Sequence, residues 1–246
     1  MPTTVFAVAT AEFLAFAVNF FCLARRHMPV SARMVVGLVA APCVGFPPEV
    51  RCVALPPARG LAHGQVINRS VRFRDATYMS FVRTKLTHQR RWLEATADGE
   101  LVLFADVDIA VRGDVFSLVR SGAPEALFAR DRCAQNVLNS GFFFLRASNR
   151  TRALLREAER NVRRGATYDG GDQGALQRLV HRVVLLPCVA VAPGHRLAHR
   201  QTQGLHAFHM NWVASSHEKQ QRMRRVGWWV ATDVVREGVG RTVCVV

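Results

Sequence analysis

Apolar runs punctuated by Gly, Pro and Asp-Gly steps divide this chain into short segments of two kinds. Val5–Val8 has the length of a buried strand, and Ala9-Thr10-Ala11 reads as a turn. From Glu12 to about Arg26 the residues read as an apolar helix. Residues 4–24 are also long and apolar enough for a membrane anchor. Glu12 and Asn19 interrupt them, however, and a charge at mid-membrane costs about 2.5–3.5 kcal/mol. The strand–helix reading fits better, as the opening βα unit of a parallel sheet.

Met34–Ala40 and Val50–Leu55 predict two more strands, the second stopped by Pro56-Pro57, with a loop at Ala58–Ser70. Residues 76–95 predict a helix whose apolar face includes Met79, Val82, Leu86 and Leu93. Asp114–Val119 reads as a short helical turn and Ala126–Arg130 as a strand. Asn139-Ser140-Gly141 reads as a turn before the apolar run Phe142–Leu145. Helices are expected at Thr151–Arg164, Gly174–His181 and Ser216–Arg225, a strand at Val183–Pro187, and a loop over Val189–Gln203. Alternating strands and helices of this total length predict a single α/β domain over residues 1–246.

The stretch LVLFADVDIAVRGD, Leu101–Asp114, breaks the pattern. Its apolar start, bounded by Asp98-Gly99 and Gly113, predicts a strand buried on both faces. Unpaired ionised carboxylates are very costly to bury, so Asp106 and Asp108 should pair or hold a metal. In an extended chain residues i and i+2 point the same way, which converges the two carboxylates and turns Val107 into the core. Two oxygen ligands from one strand end suit Mg²⁺ or Mn²⁺ sharing its shell with substrate phosphates. The alternative is an Asp pair that caps the following turn.

Charge adds less than its size suggests. The formal net charge is +15, and nearly all of the positive charge is Arg, with lysine only at Lys85 and Lys219. Such a balance attracts a polyanion: nucleic acid, an anionic membrane or a diphosphate substrate. The Arg residues are dispersed and are not interleaved with aromatics as a nucleic-acid platform would be. The six cysteines show no C-x-x-C pair or zinc spacing, and several sit in apolar runs where a free thiol packs as a small hydrophobe. Disulfides have no support in these spacings, and the redox compartment stays open. Asn68 and Asn149 begin glycosylation sequons that matter only in a secretory chain.

Other residues could complete a site around the Asp pair. His209 is a candidate third ligand, since imidazole suits Mn²⁺ better than Mg²⁺. Lys85 and Lys219 are candidate diphosphate clamps. Asp172-Gln173, after two glycines, is either a helix cap or a polar pair presented to substrate. Asn139-Ser140-Gly141 is either a plain turn or a close backbone approach to substrate.

In order, LVLFADVDI, NSGFFFLRAS, GGDQGAL and FHMNWV, followed by Lys219 and Gly227-Trp228, form a pattern that resembles the nucleotide-diphospho-sugar transferases. The resemblance is to glycosyltransferase family 77, which contains plant and algal cell-wall xylosyl- and arabinosyltransferases. It implies a GT-A fold, a Rossmann-like and mostly parallel sheet flanked by helices. It also implies a UDP-linked sugar donor with Mn²⁺ or Mg²⁺, a glycan or glycoprotein acceptor, and retention of anomeric configuration. Asp106, Asp108 and His209 would hold the metal, and Asp106, Lys85, Lys219 and Thr10 would lie along the donor nucleotide and its phosphates. Asn139, Asp172 and Gln173 would line the sugar and acceptor site, with Asp172 as nucleophile or as stabiliser.

The family setting implies the Golgi or secretory-pathway lumen, with the cytoplasm as alternative. Many relatives carry a longer N-terminal stem, whereas here the first strand comes almost at once. Two rival readings are a haloacid-dehalogenase-like phosphatase and an Arg-rich nucleic-acid-binding protein. The first expects its D-x-D near the chain start and Thr or Val at position 110, which is Ala. The second rests on charge alone.

Overall fold

The computed structural model describes residues 2–39, 41–56, 76–119, 122–167, 171–180, 184–194, 204–213 and 215–231. The loop expected at Ala58–Ser70 lies outside them. In chain order the first elements are β1 (Thr3–Thr10), α1 (Leu14–His27), β2 (Arg33–Val39), β3 (Val50–Leu55) and α2 (Ala76–Ala95). β4 (Leu101–Ala105), β5 (Ile109–Val111), β6 (Ala126–Arg130), β7 (Leu138–Arg146), α3 (Asn149–Arg163) and α4 (Asp172–Leu179) follow. The last are β8 (Val184–Leu185), β9 (Val191–Pro193), β10 (Ala207–His209) and α5 (Ser216–Arg225).

Seven strands form the main sheet in the order β3-β2-β1-β4-β7-β6-β8, and a three-stranded sheet has the order β5-β10-β9. The main sheet is mostly parallel, with β7 antiparallel to both β4 and β6. Its inner strands are buried on both faces because their residues alternate between two cores. Val5, Ala7, Leu101, Leu103, Ala105, Phe142 and Phe144 face α1, whose Phe16, Phe20 and Leu23 join that cluster. Phe6, Val8, Val102, Phe104, Phe143 and Leu145 face α2, α3 and α4, which contribute Leu86, Leu155 and Leu176. Period-two alternation thus sends every β4 residue into one core or the other.

Local chemistry sets the helix ends. Ser148 caps α3 through a capping box with Thr151. The charged face of α3 carries ion pairs: Glu159 accepts from Thr87 Oγ1 at 2.6 Å, from Arg163 Nη2 at 2.7 Å and from Arg90, both Thr87 and Arg90 lying on α2. α1 carries a buried Asn19, which donates to Trp228 O and accepts from the amides of Val230 and Ala231. This pins the segment after α5 to the back of the sheet. Among the described residues no helix is long and apolar enough to cross a membrane.

Three expectations change. Asn139-Ser140-Gly141 is no turn but lies within β7, where pairing of Asn139 with Ala129 of β6 and the Asp106 N–H to Gly141 O bond supply contacts that a glycine signal alone does not reveal. The expected loop at Val189–Gln203 contains β9, a short strand paired with β10. Disulfides join Cys43 to Cys52 and Cys133 to Cys188, pairings set by tertiary proximity rather than spacing.

Candidate active site

The site forms where β4 ends. Ala105 is the last strand residue, and Asp106-Val107-Asp108 turns into β5. Val107 keeps the inward parity of Leu103 and Ala105 and is buried in the same core. The two flanking aspartates therefore share the other side, in a turn rather than an extended strand. β5 pairs antiparallel with β10 so that Ile109 faces His209. That register carries a residue a hundred positions away to the side of Asp108, and Met210 N donates to Asp108 O to fix it.

Nε2 of His209 lies 3.2 Å from Asp108 Oδ1 and 3.8 Å from Asp106 Oδ2. One ligand atom from each of these three residues lies within 4.8 Å of the others. On the opposite strand, Asp106 N donates to Gly141 O. A Cβ on Gly141 would land on His209 Cε1 and Asp106 Oδ2, so only glycine leaves this space open. Asn139, two residues away, accepts the Gly141 N–H at 2.8 Å through Oδ1 and donates from Nδ2 to Asp131 Oδ1 at 3.0 Å. Those two bonds fix the amide orientation, so the oxygen is what lies 3.0 Å from His209 Nδ1. Nδ1 must then carry a proton, and Nε2 is the nitrogen that faces the aspartates. A ring orientation locked from behind is the usual arrangement of a metal-ligating histidine.

Two lysines counter the carboxylates. Lys219 Nζ lies 2.6 Å from Asp108 Oδ2. Lys85, reaching in from α2, lies 3.0 Å from Asp106 Oδ1 and 2.7 Å from Asp172 Oδ2. The latter contact is electrostatic and off the line of a hydrogen bond, since Asp172 Oδ2 has no donor aimed at it. Burial opposes the charge on Lys85, but Asp106 and Asp172 outweigh it and raise its pKa. Burial likewise opposes charge on Asp108, yet Lys219 and His209 outweigh it and lower its pKa. Glu12 goes the other way: burial raises its pKa against a Ser216 hydrogen bond and the Lys219 charge.

One cleft of about 830 Å³ collects all nine residues singled out from sequence. Thr10 enters it at the end of β1, and Asp172 and Gln173 at the start of α4. Gly171, not Asp172, is the N-cap of α4. Asp172 Oδ1 instead accepts from Ser140 Oγ and Gln173 N, both at 3.0 Å, and Gln173 Oε1 meets Ser140 N at 3.4 Å. Asn139, expected against the sugar, makes its hydrogen bonds to protein groups beneath His209.

Several residues of the site escaped the sequence reading. Asp131, buried at the end of β6, accepts from both Asn139 and Asn211. Its signal was available: a carboxylate directly after the apolar run ALFAR, as at Asp106. Asn211 in turn accepts from Gly194 N at 2.6 Å. Glu12 and Trp212 also line the cleft.

A divalent cation fits this arrangement. Asp106, Asp108, Asp131 and Asp172 set four carboxylates against two ammonium groups, an excess of two negative charges with Glu12 set aside. The oxygen–imidazole donor set suits Mn²⁺ or a similar ion.

Comparison with known proteins agrees with this geometry. No curated protein matches the chain by sequence. Among solved structures, the apo-form glycosyltransferase GlyE of Streptococcus pneumoniae TIGR4 is similar, with a TM-score of 0.60 and 11% identity. The likeness covers 91% of this chain and 60% of that one, and at this identity it speaks for the fold, which is GT-A. The model of the family described as nucleotide-diphospho-sugar transferase matches residues 51–223, well over half of the chain and including every strand that carries the metal trio. The chain belongs to the nucleotide-diphospho-sugar transferase family.

Proposed function

We propose that this protein is a metal-dependent glycosyltransferase that moves a sugar, with retention, from a UDP-linked donor to a glycan or glycoprotein acceptor. The observation that carries the reading is the convergence of Asp106, Asp108 and an Nδ1-protonated His209 beside the buried Lys85 and the half-buried Lys219. Those three side chains would hold Mn²⁺ or Mg²⁺, and the bound ion would neutralise charge on the departing nucleoside diphosphate. The histidine favours Mn²⁺.

The protein's own groups do the rest. Lys219, which lies beside Asp108, would contact the donor diphosphate. Thr10 and Lys85 border the donor, and Asn139 acts through His209. In the transfer, the bond from the anomeric carbon to the β-phosphate oxygen breaks and a bond to the acceptor oxygen forms on the same face. The acceptor proton passes to the leaving phosphate oxygen, so no strong base is required. Asp172, with Oδ1 held by Ser140 and Gln173 and Oδ2 beside Lys85, suits the part of an electrostatic stabiliser better than that of a nucleophile. Residues 1–246 act as one GT-A domain. The disulfides Cys43–Cys52 and Cys133–Cys188 support a place in the Golgi or secretory-pathway lumen, where the redox balance lets them persist.

A panel of nucleotide sugars, assayed with and without Mn²⁺ for hydrolysis and for protection against thermal unfolding, tests this. At least one UDP-sugar is expected to be hydrolysed and to raise the melting temperature only with the metal. A panel with neither effect contradicts the proposal.

A further inference from the structure

We infer that Trp212 is the platform on which the acceptor sugar stacks, an inference that rests on the glycosyltransferase reading above. Trp212 is 56% exposed, the only large aromatic so exposed among the described residues, and it lines the cleft. Its backbone has φ of 65°, a left-handed conformation that a bulky side chain rarely adopts and that persists only where the surroundings hold it.

The surroundings do hold it. The indole Nε1 donates to Asp131 O at 3.3 Å, and the Arg132 guanidinium lies 4.2 Å from the ring centroid. The next residue, Cys133, is tied by its disulfide to Cys188, which pins the loop that carries Asp131 and Arg132. On the other side, Asn211 is fixed to Asp131 and to Gly194, whose close approach to Asn211 O leaves no room for a Cβ. One face and one edge of the indole are thus used by the protein, which leaves the other face for a ligand in the cleft that Trp212 lines. A pyranose or furanose ring has an apolar C–H face that packs on such a surface, and a rigid indole loses little entropy when it does.

Topology assigns that ring to the acceptor rather than to the nucleoside. In a doubly wound sheet the nucleotide binds where strand order reverses, here between β1 and β4. Thr10 and Glu12 flank that crevice, and the metal trio closes its far side. Asp131, which holds Trp212, ends β6, two strands beyond β4 and therefore about 10 Å further along the sheet. A donor laid from β1 across the metal directs its sugar toward β6, and the acceptor must approach from there.

Two variants separate ring from fold. Trp212→Gly removes the indole and also relieves the positive φ, so the protein is expected to fold; Trp212→Phe keeps an aromatic face. Saturation-transfer NMR with methyl glycosides of xylose, arabinose, glucose and galactose reads binding directly, with UDP-sugar hydrolysis followed in parallel. We expect at least one glycoside to bind wild type through its ring C–H protons, with affinity reduced about tenfold in Trp212→Gly, the size of one good aromatic stack, and largely kept in Trp212→Phe. Equal binding by wild type and Trp212→Gly overturns the inference. So does a wild type that hydrolyses donor but binds no glycoside, or a Trp212→Gly effect that falls on donor KM instead. A wild type with no donor hydrolysis overturns the proposed function itself.

Discussion

Asn139 Oδ1 and His209 Nδ1 lie 3.0 Å apart, and this one contact decides which imidazole nitrogen faces the metal trio. Removing the amide frees the ring to rotate or change tautomer, strands the Gly141 amide, and takes from Asp131 Oδ1 one of its two donors, leaving Asn211. Asn139→Ala is expected to weaken Mn²⁺ binding about 10–100-fold, as is usual for the loss of such a support. It should also cost on the order of 2 kcal/mol of stability from the stranded Gly141 amide and the weakened support of Asp131. Calorimetric Mn²⁺ titration and urea unfolding measure the two effects.

Gly141 makes a sharper test of the same packing. Its missing Cβ is the space into which His209 Cε1 and Asp106 Oδ2 project. Gly141→Ala therefore displaces two of the three ligands while removing no hydrogen bond. Mn²⁺ affinity should fall at least as far as in Asn139→Ala, with far-UV circular dichroism unchanged.

Lys219 should separate metal binding from turnover. At 2.6 Å from Asp108 Oδ2 it competes with any cation for that carboxylate. Lys219→Ala is expected to bind Mn²⁺ more tightly than wild type. Its kcat on the donor should nevertheless fall about 100-fold, because a positive charge is lost where the leaving diphosphate develops charge. Parallel binding and rate measurements distinguish this from simple damage to the site, which would weaken both.

Stability at acid pH should report on Glu159, which joins α2 to α3. Burial tends to raise its pKa, but hydrogen bonds from Thr87, Arg163 and Arg90 outweigh that and lower it below the usual 4.5. A carboxyl with a depressed folded pKa stabilises the fold above its unfolded value, and that contribution disappears as pH falls through 4.5 toward the folded value. Glu159→Gln is expected to be less stable than wild type by about 2 kcal/mol at pH 7. The gap should narrow as pH drops below 4.5. Chemical unfolding of both proteins from pH 7 to pH 3 checks the sign.

What was readable in the residues was mostly local. α2, β3, β6 and α5 begin and end where apolar periodicity and turn residues place them, because burial and capping act within a few positions. The Asp106–Asp108 pair was legible because two carboxylates at the end of an all-buried strand need a reason. Asn139-Ser140-Gly141 misled because its glycine answers to a cross-strand neighbour, Asp106, and not to a turn. Asn211 and Gly194 were overlooked for the same kind of reason: each is defined by contacts across the chain. His209 could be singled out by its motif, yet its position depends on the β5–β10 register, which no local pattern encodes.

The most direct test of the central claim is Mn²⁺-dependent turnover of a UDP-sugar by wild type and by Asp108→Ala. The account predicts that wild type releases UDP only in the presence of the metal. Asp108→Ala, still folded by circular dichroism, should release none above background. Undiminished turnover by Asp108→Ala, or wild-type turnover that survives complete chelation, would contradict it.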